Sequence, residues 1–478
     1  MKLKWLLIFC PAFTIHPGLT QTFDDFIADL QQLPSGQRQA VVDSFVTVNP
    51  QSPITETDTL AHFYYTGNAQ SVSVPGDATG WDPGIDLMSH IDGTNFWFLT
   101  RIYENDARLD YKFVLNGNNW ILDPRNPNTV SGGYGPNSEL SMPGYVQPPE
   151  IEYFSGLLHG TVFDTSFYSE SLGNSRTVKV YIPPEYSTSQ DSLPVILFHD
   201  GLDFLTLGSA DNVLDYLIGY DIIDPVIAVF VPAVNRNEEY HGNLKEEYSD
   251  IIINHVMVWV DSKYRTITNP QLRAVAGASD GGNISLWIAM NYPEAFGRVA
   301  AFSSNVIDEI SDGLQNGPLA ALEFYLDIGT YDIPVLIPMV HDLKDILDER
   351  GYPNLYYEWH EGHSWGNWRA HIDNALQFFF PNTNSEASPQ VNFTGINIQV
   401  YPNPGSGKTT LILTGKPGSS SGLYLLDGNG LIIENIWQGR LIKGMQLFTI
   451  RTDHLKSGFY FFRLICEGRT VIKKWIVQ

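Results

Sequence analysis

The sequence predicts an α/β fold, a doubly wound and mostly parallel sheet, carried between an N-terminal β-sandwich and a small C-terminal β-sandwich. Three observations predict it. Near-continuous apolar runs at 178–182, 195–198, 226–231 and 273–276 suit parallel strands buried on both faces. Helical stretches such as 211–218 and 251–264 lie between them, and that alternation implies a sheet covered by helices. Before and after this block the pattern changes to short runs separated by Gly, Asn, Asp and Pro turns, at 61–65, 71–74, 96–102 and 110–115 and again beyond 395.

A chain of 478 residues exceeds one ordinary core, so several domains are expected. Residues 1–20 have the shape of a signal peptide. Lys2 and Lys4 precede the apolar stretch 5–13, which is too short to span a bilayer, and no later segment has the length either. Residues 21–59 form a helical preface and linker: Phe23, Phe26, Ile27 and Leu30 fall at helical spacing, residues 34–36 break the run, and 40–46 resume it. The β-sandwich is placed at 60–149, the α/β block at 150–381, a polar linker at 382–394 and the last module at 395–478. Removing the signal would leave Cys466 as the single cysteine, so no intramolecular disulfide is expected.

The formal charge of −25 argues against nucleic acid as a partner, because an acidic surface repels phosphate. The charge is unevenly spread: residues 395–478 balance at +6 and the first 394 at −31. A break of that size marks the tail as a module with a separate task.

The chemistry concentrates in the α/β block. A strand at 273–276 runs into Gly277-Ala278-Ser279-Asp280-Gly281-Gly282, and a helix follows. This is G-x-S-x-G in the strand–turn–helix setting that the motif needs. Ser279 must hold a strained backbone so that its hydroxyl stands clear of the sheet. Gly277 and Gly281 let neighbouring elements pass, and the N–H of Asp280 points to where an oxyanion would form. The alternative is an ordinary glycine-rich turn. A nucleophilic serine needs a base and an orienting acid, expected downstream in the order acid, then histidine. His363 lies in Glu361-Gly362-His363-Ser364-Trp365, just after the predicted strand 355–359, and His360 beside it stays open on pattern alone. For the acid, Asp332 falls past the end of the strand begun at Leu326, whereas Asp327 lies within it and reads as structural. No cofactor or metal is expected, for the histidines are scattered and no phosphate loop or dinucleotide fingerprint is present.

These motifs sit among others in a fixed order: Val180-Tyr181-Ile182-Pro183-Pro184-Glu185-Tyr186, Phe198-His199-Asp200-Gly201, the Ser279 elbow, Tyr292-Pro293-Glu294-Ala295-Phe296-Gly297, Gly329-Thr330-Tyr331-Asp332 and Gly362-His363-Ser364-Trp365-Gly366-Asn367-Trp368. Together they resemble the putative-esterase family of α/β hydrolases, which includes enterochelin esterase, esterase D and feruloyl esterases. The resemblance implies a catalytic triad of Ser279, Asp332 and His363. It also implies a second oxyanion donor on the backbone of Gly201 and Leu202, beside that of Asp280. Substrate-binding roles are expected for Trp365 and Trp368, and for Arg236, Glu239 and Tyr240 in a segment that approaches the site in enterochelin-esterase-like members. A loop salt bridge is the equal alternative for that last segment.

Residues 76–81 and 111–124 resemble the early-set, glycogen-binding-like domain that precedes such catalytic domains. Relatives use residues matching Trp81, Lys112 and Trp120 as a sugar platform, because a flat indole stacks on a pyranose face. The same residues could instead wall a pocket. Val400-Tyr401-Pro402-Asn403-Pro404, Leu455-Lys456-Ser457-Gly458-Phe459-Tyr460 and the basic strand ending at Gln478 resemble a type IX secretion sorting domain. The implied partners are the type IX machinery and an ester substrate, and the implied location is the cell surface or the medium. Feruloyl or acetyl esters of polysaccharide suit a surface enzyme with a sugar platform, and a catecholate siderophore trilactone is the rival. A non-catalytic surface carbohydrate-binding protein is the reading from another class, and acyl transfer to an acceptor other than water stays open.

Overall fold

The computed structural model describes residues 22–382, 396–401, 408–415, 420–427, 431–440, 445–451, 454–466 and 469–477. The expected signal peptide, most of the 382–394 linker and the motif residues Pro402, Asn403 and Pro404 lie outside the described residues. The chain forms two compact units, one of residues 1–145 with 329–334 and 359–364, the other of the remainder.

In the larger unit the apolar runs become a sheet whose strand order follows Thr161–Ser169, Asn174–Ile182, Ile227–Val231, Val195–His199, Arg273–Ala278, Arg298–Phe302 and Glu323–Tyr331. From Ile227–Val231 to Glu323–Tyr331 neighbouring strands are parallel. Every residue of Val195–His199, Ile227–Val231 and Arg273–Ala278 is buried. One apolar face holds Val180, Leu197, Val229, Val275 and Val299. The other holds Ile196, Phe198, Ala228, Phe230 and Ala276. Each fully buried aliphatic side chain contributes about 1.5–3 kcal/mol, so alternate residues of one strand stabilise both layers. Helices Ala210–Gly219, Asp280–Asn291, Leu336–Arg350 and Ile372–Phe379 supply the cover.

Two expectations are corrected here. The run at 178–182 belongs to a strand antiparallel to Ile227–Val231, not parallel to it. It is half of a hairpin with Thr161–Ser169, and a turn that short, with Gly173 at φ 62°, joins only antiparallel neighbours. The 251–264 helix starts earlier, at Lys245, and passes through a π-helical stretch at Ile251–Val256 before ending at Lys263.

In the smaller unit the preface forms helices Phe23–Gln32 and Ser35–Val48, so the second begins five residues before the expected start. Phe23, Phe26, Leu30 and Val42 are buried together with Tyr64, Ile91 and Phe96, and the Phe26 and Phe45 rings stack at 3.9 Å. The preface is therefore part of this unit's core. A four-stranded sheet contains Leu60–Thr66 and Phe96–Ile102, and a three-stranded one contains Phe113–Leu115 and Asn119–Ile121. Strand Arg108–Tyr111 runs antiparallel to Gly135–Ser141, and on its other side Arg108 pairs with Glu361.

The described part of the C-terminal block forms a three-stranded and a four-stranded antiparallel sheet. Leu411, Leu423, Phe462 and Trp475 are buried within it, as is the Cys466 thiol-bearing residue.

Candidate active site

Strand Arg273–Ala278 ends at Ser279, which takes φ 56° and ψ −123° before helix Asp280–Asn291 begins. A residue with a side chain enters that region only under strain. The turn tolerates it because glycines stand two residues before and two after it. A Cβ on Gly277 would stand 2.2 Å from the Gly281 carbonyl carbon, and one on Gly282 would stand 2.8 Å from Ser304 Oγ. The Ser279 N–H donates to Phe302 O at 2.8 Å, which ties the elbow to the next strand. Asp280 opens the helix, so its N–H has no acceptor within that helix.

A second loop of the same unit also enters a helix from a residue of positive φ, though with a different ψ. Asp200 is left-handed at φ 53° and ψ 37°, and helix Gly201–Thr206 follows, which puts the N–H groups of Gly201 and Leu202 in a first turn. Gly201 is obligatory, since a Cβ there would lie 2.3 Å from the Phe230 and Val231 backbone. Arg236 braces the two loops. Its guanidinium reaches Asp200 Oδ1 at 3.0 Å and Oδ2 at 2.8 Å, Asp280 Oδ2 at 3.0 Å and Ala278 O at 3.2 Å. Burial pushes the Asp200 carboxyl up, and Arg236 opposes that rise.

The neighbours of Arg236, for which substrate binding was expected, are turned inward. Glu239 is buried, accepts two bonds from Arg176 at 2.9 and 3.1 Å, and anchors Val234 N. Tyr240 is equally buried and its Oη accepts the Asp200 N–H at 2.9 Å. The segment is the salt-bridged support of the Asp200 loop, the alternative reading of its sequence. Trp365 and Trp368, also expected near substrate, are both buried, in an edge-on pair at 5.1 Å, and Trp365 packs on Phe204. Two large rings seven to eight per cent exposed serve the core under the second apolar face. Below the Asp200 loop, His199 contacts Tyr248 Oη through Nδ1 at 2.8 Å, and burial pushes its imidazole down to about 3.

In the other unit, His363 Nδ1 lies 2.7 Å from Asp332 Oδ1, and the Asp332 side chain is fully enclosed while the imidazole stays partly exposed. The Ile333 N–H also donates to Asp332 Oδ1, at 2.7 Å. With Nδ1–H directed at the carboxylate, Nε2 keeps the lone pair of a base. His360, open on sequence, pairs with a different and half-exposed carboxylate, Asp106, at 2.7 Å. Asp327 stays inside its strand, accepting from Tyr325 Oη at 3.0 Å and Ser303 N at 3.2 Å, a structural role. Sequence reasoning missed Arg108, which is fully buried at the end of its strand beside this pair of loops. No local signal marks it, because apart from Asp110 its partners, Glu139 and Ser364, are distant in sequence.

The same unit carries the aromatic pair. Trp81 and Trp120 stack at 6.5 Å with 25° between planes, and Trp120 is 42 % exposed. The Trp81 indole N–H donates to Asp77 Oδ1 at 3.1 Å. Lys112 is partly exposed on the adjoining strands, with its N–H fixed on Pro75 O. Among the described residues no group of three or more His, Cys, Asp or Glu is arranged to hold a metal, and no helix is long and apolar enough to cross a membrane.

Residues 169–379 match the family model described as putative esterase, and residues 399–478 that of a secretion system C-terminal sorting domain. The α/β block is an esterase-type domain. An uncharacterized protein of Bacillus subtilis, YjcH, is 27 % identical over 46 % of this chain and 97 % of its own length. An endo-1,4-beta-xylanase/feruloyl esterase of Xylanibacter ruminicola is 28 % identical over 34 % of this chain, but over only 24 % of its own. The enterobactin esterase of Shigella flexneri, solved in the presence of enterobactin, superposes with a TM-score of 0.60 at 20 % identity, covering 69 % of this chain and 95 % of that one. That likeness is one of fold. A sorting domain of the type IX secretion kind indicates export to the cell surface or the medium.

Proposed function

We propose that the chain is a serine carboxylic ester hydrolase acting through an acyl-enzyme on feruloyl or acetyl esters of polysaccharide. The observation that carries this reading is the Ser279 elbow, a side-chain-bearing residue held at φ 56° and ψ −123° between two glycines at a helix start. Ser279 is assigned the nucleophile, His363 the base that takes its proton and returns it to the leaving alcohol, and Asp332 the acid that orients His363. The backbone N–H of Asp280, with those of Gly201 and Leu202, is assigned to the oxyanion. Attack by Ser279 forms the acyl ester and releases the alcohol; water then attacks with His363 again as base, releasing the acid.

Two observations favour a polysaccharide ester: the stacked Trp81–Trp120 pair, which offers a flat face for a sugar ring, and the similarity to the Xylanibacter xylanase/feruloyl esterase. A catecholate trilactone is the second reading, favoured by a fold likeness to enterobactin esterase that extends beyond the α/β block. The test is a hydrolysis panel on the purified chain: nitrophenyl acetate, methyl ferulate, acetylated xylan and a catecholate trilactone. The first reading expects kcat/KM on methyl ferulate or acetylated xylan to exceed that on the trilactone at least tenfold, by about 1.4 kcal/mol. The reverse order would replace it with the second, and no hydrolysis of any ester would remove both.

A further inference from the structure

Four contacts converge on the loops that carry Asp332 and His363, and three come from residues spaced two apart. Glu104 Oε2 accepts the hydroxyl of Tyr331, the residue before Asp332, at 2.7 Å. Asp106 Oδ1 holds His360 Nδ1 at 2.7 Å. Arg108 reaches Ser364 Oγ, the residue after His363, at 3.2 Å, while its backbone registers against Glu361. The fourth contact is steric. Gly362 is pressed so close to Asp77 that a Cβ would stand 2.1 Å from its carboxyl carbon.

Arg108 is no chance contact. It is fully buried and its fork is committed on three sides: Nε and Nη2 to Glu139 Oε2 at 2.9 and 2.6 Å, Nη1 to Asp110 Oδ1 at 2.7 Å, and Nη1 to Ser364. A buried guanidinium with fixed partners is a rigid donor, because releasing it would leave uncompensated charge inside. Asp77 is equally fixed, accepting from the Asp110 N–H at 2.8 Å and from Trp81. Displacing the backbone that carries His363 would have to move Gly362 or Ser364, and both abut groups that cannot follow.

We infer that Glu104, Asp106 and Arg108 form a positioning clasp, supplied by the N-terminal β-rich block, that fixes the Asp332–His363 pair in its reactive geometry. The inference rests on the assignment of His363 as the catalytic base. His360 thereby acquires a role as a point of attachment. None of the three touches substrate; each acts through a loop, and a supporting layer of this kind decides whether a reacting pair is held to within half an ångström. A loop left loose would bind substrate normally but visit the reactive arrangement less often, so the clasp should act on kcat and not on KM.

The experiment measures kcat and KM for nitrophenyl acetate on the full chain with Ser364→Ala, Ser364→Thr, Arg108→Lys and His363→Ala, each checked for folding by circular dichroism. Ser364→Ala should lower kcat about three- to tenfold with KM unchanged, and Ser364→Thr, which keeps the hydroxyl, should restore it. Arg108→Lys should lower kcat at least as far; if it does not fold, the serine pair still decides the matter. Loss of activity in His363→Ala with wild-type kcat in Ser364→Ala overturns the clasp and leaves the triad standing. Activity retained in His363→Ala overturns the triad and the clasp with it. A rise in KM together with a fall in kcat, unrelieved by threonine, would mean general loosening and would also overturn the clasp.

Discussion

The Ser279 elbow and the His363 loop belong to one proposed reaction but are held in opposite ways. The elbow is local. Its strain, its glycines and its helix start all lie within residues 277–282, and the strand beneath it is buried throughout. The His363 loop is held from afar, by Asp332 thirty-one residues earlier and by Arg108 more than two hundred and fifty earlier. A local device can be written into a motif. A long-range one cannot, because each partner looks like an ordinary charged residue until the chain folds.

Removing the nucleophile is the strongest way to break the comparison. Ser279→Ala and His363→Ala should each cut kcat on a nitrophenyl ester by about a thousandfold or more, with the fold intact. His360→Ala should cost no more than about tenfold, since it loses an attachment and not a base. Equal losses at the two histidines would show that the 359–364 loop tolerates no change at all.

The interior that holds the distant loop has its own pH signature. Asp123 accepts from Tyr111 Oη at 2.8 Å and from Arg125 N, and burial pushes its carboxyl up to about 6. The folded form therefore binds the proton more tightly than the unfolded chain does. The resulting stability is present below 3.8, the ordinary value, and is lost as pH rises from there through about 6. It amounts to about 3 kcal/mol. Urea unfolding of the wild type and of Asp123→Asn, compared at pH 4 and 7, should show the wild type losing most of that, about 2 kcal/mol, relative to the variant. A constant difference would contradict it.

A smaller effect tests the local device. Arg236→Met removes the brace between the Asp200 and Asp280 loops, and kcat should fall about tenfold, less than for outright loss of an oxyanion donor. An unchanged kcat would mean that the two helix starts hold their places without it. The smallest effect belongs to the exposed ring. Trp120→Ala should slow the release of ferulate from insoluble arabinoxylan about threefold or more, an order of magnitude consistent with losing one stacking face, while methyl ferulate is hydrolysed as before. Equal losses on both would mean packing and not sugar recognition.

The same contrast explains what could be read from the sequence. The doubly wound sheet was legible because buried parallel strands leave unbroken apolar runs, as at 195–198 and 226–231. The run at 178–182 looked identical, and only its hairpin partner, whose side chains are mostly not buried, reverses its direction. The strained serine was legible because glycines at fixed offsets have one steric purpose. Trp365 and Trp368 were ambiguous because a tryptophan beside a candidate histidine fits a pocket wall as well as a core, and both rings are buried here. Glu239 and Tyr240 misled for a related reason: they support the loop that Arg236 braces, from inside.

Arg108 bears finally on where this chain can be cut. Residues 150–381 encode Ser279, Asp332 and His363, and by sequence that segment looks like a self-sufficient gene cassette. Yet 329–334 and 359–364 pack as members of the other compact unit. A cassette trimmed to the esterase block would take Glu104, Asp106 and Arg108 away from Tyr331, His360 and Ser364, and would strip Asp77 from beside Gly362. In this chain, moving the esterase block into another architecture would forfeit those contacts unless the β-rich block went with it.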